Sequence, residues 1–183
     1  MEHILKLHQF KRTNILLSKV KIIKTEQMAA ENYTPDEKDL SILRILQKDA
    51  KLSIRDIANK INLSPTPTHE RIKRMEKLGI IKEYTTVVDR KKVNKGMTVI
   101  CMIALNVHNK KTAGQFIEEV SRLKEVIEFY NISGDFDFML KILAANMDEF
   151  HDFFVNKLSE IEGIGQTKSI FVMNSIKEST EIV

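Results

Sequence analysis

Between residues 34 and 79 the apolar positions recur at helical spacing in three short runs, each bounded by a cap or a turn residue. In the first run Leu40, Leu43 and Leu46, flanked by Ile42 and Ile45, form a stripe that reaches about Lys48. Thr34-Pro35-Asp36-Glu37 precedes it with a hydroxyl at the N-cap, proline at the first helical position and a carboxylate three residues after the cap, so a helix is expected from Thr34. Ser53 and Asp56 open a second helix whose inward face is Ile57, Ala58 and Ile61, and Asn62, which tolerates the left-handed conformation, stops it. Ser64 opens a third. Pro65 and Pro67 fall in its first turn, where amides have no intrahelical partner and a residue without one loses nothing. Thr68, Ile72, Met75 and Leu78 point inward, Gly79 ends the helix, and Ile80 to Val88 reads as a strand.

After Arg90-Lys91-Lys92, read as a hinge, the period changes. Thr98 to Val107 is an almost unbroken apolar run of strand length. Thr112 to Gln115 fits a capping box for a helix striped by Ala113, Phe116, Ile117, Val120 and Leu123. Val126–Ile132 and Phe136–Ala144 read as strands joined by Ser133-Gly134-Asp135. Asn146 with Glu149 opens another helix, striped by Phe150, Phe153, Phe154, Leu158 and Ile161, before a last strand from about Gln166 to Ile176. The order βαββαβ predicts an α+β chain: a winged-type helix-turn-helix unit followed by a ferredoxin-like sandwich. Both helices of such a sandwich fall on one sheet face, so the apolar residues of the other face call for a second copy of the chain. The expected division is an extension over residues 1–33, a helical domain over 34–84, a strand and hinge over 85–97 and the sandwich over 98–183.

Composition agrees with two modest domains: 183 residues, 43 % of them apolar. The single cysteine, Cys101, excludes a disulfide framework and a paired-thiol metal motif, which points to a reducing compartment and to the cytoplasm. No apolar run approaches the roughly 18 residues of a membrane span. The net charge of +4 is uneven. Residues 1–27 hold six basic against two acidic side chains, 34–84 hold eleven against eight, and 85–183 hold twelve against fourteen. The first 27 residues do not make a signal peptide, because lysines interrupt the apolar positions. They read as a basic tail that touches phosphate, as a disordered extension, or as non-native sequence added by a start upstream of Met28, and no function is assigned to them.

Two helices joined by a tight turn, the second stiffly begun and basic, is the geometry that lays a recognition helix into a DNA major groove. The candidate DNA-binding residues are Ser64, Thr66, Thr68, His69, Arg71, Lys73, Arg74 and Lys77. The spacing of Thr68 also suits the core. A plain packing unit has the same pattern, and Glu70 and Glu76 would oppose phosphate if they faced it. His3, His8, His108 and His151 have no neighbouring ligand cluster, so neither a metal nor a cofactor is expected. A catalytic reading lacks residues to carry it: no serine has a visible base partner and there is no glycine-rich phosphate loop.

Taken together, LSPTPTHERIKRMEKLGIIKEY, the βαββαβ module and the segment Ser133-Gly134-Asp135-Phe136-Asp137-Phe138 resemble the leucine-responsive regulatory protein/AsnC family of bacterial and archaeal transcription factors. The resemblance runs from about Thr34 to the end of the chain, and the extension over 1–27 departs from it. It implies double-stranded DNA as partner, homodimers that often assemble further into octamers, and an amino-acid effector bound near the Gly-Asp loop at interfaces between dimers. Gly134, Asp135 and Asp137 thereby become effector candidates, with Gln166 and Thr167 of the facing segment, although aspartates beside glycine are commonly turn residues. Two rival readings stay open. A siroheme decarboxylase-like enzyme would share the architecture but would need basic and histidine side chains lining a pocket in the second module, which is slightly acidic. A non-specific architectural DNA protein would show salt dependence without site preference.

Overall fold

The computed structural model describes residues 33–106 and 109–183. The expectations for residues 1–32, with His3 and His8, and for Val107 and His108 lie outside them. The chain divides into two compact units, one ending at Thr85 and taking in Ser179–Val183, the other Thr86–Glu178. Among the described residues no helix is long and apolar enough to cross a membrane.

The first unit contains α1 (Glu37–Lys48), α2 (Ile54–Lys60) and α3 (Pro65–Lys77). The start of α1 corrects the expectation: Asp36, not Thr34, is the N-cap. Its carboxylate accepts from the Asp39 amide at 2.9 Å while the Asp39 carboxylate accepts from the Asp36 amide at 3.1 Å. Two charge-assisted bonds outcompete the single hydroxyl on offer at Thr34. The buried centre of α1 is Ile42, with Leu43, Ile45 and Leu46 packed beside the core and Leu40 only half-buried. Ser53 caps α2 as expected, accepting from the Asp56 amide at 3.2 Å. Asn62 takes the left-handed conformation (φ 54°). Ile57, Ile61, Ile72 and Met75 complete this core.

Gly79 (φ 69°) closes α3: its amide donates to the Glu76 carbonyl at 3.0 Å, and the Ile80 amide to that of Met75 at 2.9 Å. The expected strand over 80–88 does not form. Ile80 and Ile81 instead pack against the helical core, and Val87 and Val88 are exposed. A strand requires a neighbour to satisfy its backbone, and among the described residues this segment pairs with no strand. At the other end of the sequence, Ser179–Val183 reaches this unit through Gln47, whose side-chain amide donates to the Thr180 carbonyl at 2.8 Å.

The second unit runs β1 (Met97–Leu105), α4 (Lys110–Val120), β2 (Val126–Asn131), β3 (Phe138–Ala144), α5 (Met147–Phe153) continued by a π-helical turn (Phe154–Leu158), and β4 (Ile164–Phe171). This is the expected βαββαβ order. The sheet is antiparallel throughout, in the order β2-β3-β1-β4. Several boundaries move, each for a local reason. Asn109 rather than Thr112 caps α4, accepting from the Thr112 amide at 2.8 Å. Ile117, expected on the buried stripe, is exposed; Phe116 and Val120 carry the face. β3 starts at Phe138 because the Asp137 amide donates across to Ile103 and its carbonyl accepts from the Ile132 amide, which closes the hairpin turn. β4 ends at Phe171, not Ile176, and its pairing with β1 closes with the Val172 amide donating to the Thr98 carbonyl at 3.0 Å. Asn146 opens α5 as expected.

Alternation on β1 and β3 sends Val99, Cys101, Ile103, Phe138, Leu140 and Ile142 toward the two helices, where Phe116, Phe150 and Phe153 meet them. Cys101 is wholly buried, its sulfur 3.9 Å from the Ser169 hydroxyl, and burial pushes its thiol above the ordinary range. The intervening residues face away from the helices. Ile100, Met102, Met139 and Leu143 are half-buried there, and Tyr130 and Ile170 are exposed.

Candidate nucleic-acid interface and effector site

The helix α3 meets the core through Thr68, Ile72 and Met75 and turns Ser64, Thr66, His69, Lys73, Arg74 and Lys77 outward. Two sequence candidates change role. Thr68 is 0 % exposed and its hydroxyl donates to the Ser64 carbonyl at 2.9 Å, so it cannot reach a base edge. Arg71 donates through one nitrogen to Asp36 at 2.7 Å and to Asp39 at 2.8 Å, which holds its charge within the unit instead of offering it to phosphate. Those two bonds raise its already high pKa further, Asp39 first. Glu76 proves a small obstacle to an anion. Lys73 sits 2.8 Å from it, the Tyr84 hydroxyl donates to it at 2.9 Å, and these bonds, Lys73 first, hold its carboxyl below the usual range. Tyr84 is pushed up to about 12 by burial and by the Glu76 bond.

Behind α3 lies a cluster that the sequence reading missed. The Asp39 side chain is 1 % exposed. One oxygen takes the Arg71 bond and lies 3.7 Å from Arg74; the other accepts from the Tyr33 hydroxyl and the Asp36 amide. The Arg74 guanidinium carbon sits 4.8 Å from the centroid of the Tyr33 ring. A signal for Asp39 was present: it lies three residues before Ile42, on the apolar stripe of α1, where a lone carboxylate implies a buried partner. Nothing in the pattern pointed to Tyr33.

In the second unit, Gly134 takes a positive φ of 123° in the β2–β3 turn, a conformation that side chains disfavour, and Asp135 beside it is exposed. Asp137 has a structural duty: its carboxylate accepts from the Leu105 amide at 2.8 Å. It therefore ties β3 to the end of β1. Gln166 and Thr167 flank the same end of β1 from the β4 side, opposite Ala104 and Ile103. The structure does not gather these candidates around one point. β1 separates the two sets by two strand spacings, about 10 Å, and strand alternation turns Gln166 and Thr167 to opposite sheet faces. Asn106 was also missed. Its amide donates to Gly163 at 2.8 Å and its side chain to Ile164 at 3.1 Å, and a Cβ on Gly165 would fall 2.4 Å from its side-chain oxygen. The pair Gly163 and Gly165 was the available sign of that close approach.

Comparison with known proteins agrees with this division. Residues 35–82 match a winged helix-turn-helix DNA-binding family, and residues 98–182 match the Lrp/AsnC ligand binding domain. The chain is 35 % identical to the transcriptional regulator AzlB of Bacillus subtilis, over 80 % of this chain and 94 % of that one. It is 32 % identical to the leucine-responsive regulatory protein of Escherichia coli K12, over 81 % and 90 %. A solved AsnC family transcriptional regulator from Agrobacterium tumefaciens superposes with a TM-score of 0.78 at 38 % identity, covering 81 % of this chain and 96 % of that one. A transcriptional regulator of Neisseria meningitidis, solved as an L-Met complex, superposes with a TM-score of 0.79 at 27 % identity, covering 82 % and 97 %. With a DNA-binding helix-turn-helix followed by a ligand-binding sandwich, and with relatives aligned over nearly their whole length, this chain belongs to the Lrp/AsnC family of transcriptional regulators.

Proposed function

We propose that this regulator binds imperfectly palindromic DNA as a homodimer, reads bases with Thr66 and His69, holds phosphates with Ser64, Lys73, Arg74 and Lys77, and responds to a free amino acid. The observation that carries the DNA reading is the outward face of α3, whose exposed polar and basic residues stand on a firmly buried base. Two-fold pairing would set two such helices about one turn apart, roughly 34–36 Å, on one side of the duplex. The apolar sheet face supports pairing, and further assembly to an octamer is part of the same reading.

Base readers and phosphate contacts should fail differently. Replacing Thr66 or His69 with alanine is expected to relax preference at one base position by about 1–3 kcal/mol. Arg74→Ala or Lys77→Ala should weaken binding to every sequence and flatten the salt slope by about one. Fluorescence anisotropy with operator and scrambled duplexes over a salt titration measures both. An Arg74→Ala protein indistinguishable from wild type would remove that arginine from the phosphate set.

The L-Met complex of the Neisseria relative supports a free amino acid as effector. Asp135 is the exposed carboxylate available to its ammonium group, through charge-assisted hydrogen bonds. The family resemblance implies a site at a boundary between dimers, where Gly134–Asp137 and Gln166–Thr167, which stand apart within one chain, could come from different copies. Binding there would favour one assembly state over another, as any effector must to change an equilibrium. Calorimetry with a panel of amino acids including L-methionine should show Asp135→Ala losing affinity with unchanged melting. Asp137→Ala should lose stability too, about 1–3 kcal/mol, because the Leu105 amide is left without its acceptor. If neither change alters binding of an amino acid that wild type takes up, the effector site lies elsewhere.

A further inference from the structure

We propose that Asp39 is a positioning residue for DNA recognition: by holding Arg71, and Arg74 beside it, it sets the recognition helix against α1 and withholds arginine charge from non-specific contact with phosphate. The inference rests on the DNA-binding reading of α3. Both oxygens of Asp39 are occupied, one facing Arg71 at 2.8 Å and Arg74 at 3.7 Å, the other accepting from the Tyr33 hydroxyl and from the Asp36 amide at 3.1 Å. Arg71 and Arg74 lie three residues apart, on one face of α3, so a single buried carboxylate fixes the rotation of that helix about its axis.

Such a group is poorly explained as a source of stability. Removing a carboxylate from water is costly, and a buried pair often does no better than apolar side chains of the same volume; its better attested use is to specify one arrangement. Arg71 is the firmly held member, bonded to two aspartates with a side chain 25 % exposed. Arg74 is 47 % exposed, lies over the Tyr33 ring and keeps only a long contact to Asp39, so it can turn to a phosphate when DNA arrives. Asp39 thus divides two neighbouring arginines between a positioning task and a binding task.

Loss of the charge should therefore move affinity and discrimination in opposite directions, which no merely structural role does. Asp39→Asn, with melting followed as a check on folding, is expected to bind scrambled duplex several-fold more tightly than wild type. Its salt slope should steepen by about one, the value of one added phosphate contact, while its preference for operator over scrambled DNA falls at least tenfold. Arg71→Lys keeps the charge but cannot match the two-aspartate geometry, so it should lose preference with an unchanged slope. Equal weakening on both DNAs, or an Asp39→Asn protein with wild-type slope and preference, would overturn the proposal. Should Asp39→Asn not fold, Arg71→Lys and Tyr33→Phe decide it, and wild-type preference in both would overturn it. A wild-type protein without operator preference would instead count against the DNA reading itself.

Discussion

Replacing Met139 with aspartate is expected to leave the second unit folded, convert the proposed dimer to a monomer and weaken operator binding by about 10²–10⁴-fold. Met139 lies on the sheet face away from the helices, opposite Met102 on β1 and Tyr130 on β2. Neither cross-strand neighbour carries a charge to accept the new carboxylate. The nearest cation on its own strand, Lys141, is engaged with Glu128 at 2.8 Å. In a lone chain the aspartate, at a half-buried position, would keep contact with water. Against a second copy it would be buried twice, once from each subunit, at several kcal/mol per ion. Half a palindrome read by one helix also loses the high local concentration that tethers its twin. Sedimentation at micromolar concentration, followed by footprinting on a palindromic site, tests both effects. A Met139→Asp protein that stays dimeric would show that pairing does not use this face.

The second large effect concerns the sandwich core. Phe116→Ala should cost the second unit about 3–5 kcal/mol. The ring is 0 % exposed and lies between two others, with centroids 4.9 Å from Phe138 in a tilted arrangement and 5.9 Å from Phe129 edge-on. Truncation removes both aromatic contacts and leaves a cavity between α4 and the sheet, which rigid strands cannot collapse to fill. The helical unit has a separate core of isoleucines and Met75, so its own unfolding should be little changed. Denaturant titration followed by near-ultraviolet circular dichroism, which reports on these aromatics, gives the measurement. A loss below about 1 kcal/mol would mean that the cluster tolerates repacking.

Local signals carried far in this chain. Ser53, Asn62, Gly79 and Asn146 all do what short-range cap and turn chemistry requires of them, because each acts within a few residues of itself. The βαββαβ order of elements followed from alternation, helical spacing and turn chemistry. What local pattern missed was competition and distance. At the start of α1 an aspartate pair defeated a plausible Thr-Pro cap, and at α4 an asparagine three residues upstream defeated a threonine. The segment over 80–88 has strand composition but, among the described residues, no neighbour to pair with. Thr68 shows the limit for site residues: hydroxyl chemistry named it a base reader, and the phase of α3 buried it. Arg71 shows the other, since its two partners lie 35 and 32 residues earlier, beyond the reach of any helical period. The Gly134-Asp135-Phe136-Asp137 segment singled out one set of effector candidates, but no local pattern showed that β1 lies between it and Gln166–Thr167.

The burial of Cys101 has a practical consequence for following this protein at work. It is the sole thiol in the sequence and lies under the helices on the central strand β1, bordered by Leu140 on one side and Ser169 on the other. A protonated, inaccessible sulfur reacts with alkylating reagents only when the sheet opens. The rate of labelling therefore counts opening events of the sandwich alone, without engineered probes and with every adduct assigned to one known atom. An effector that tightens the assembly would slow that clock, and DNA bound at the other unit would slow it only insofar as the two units communicate.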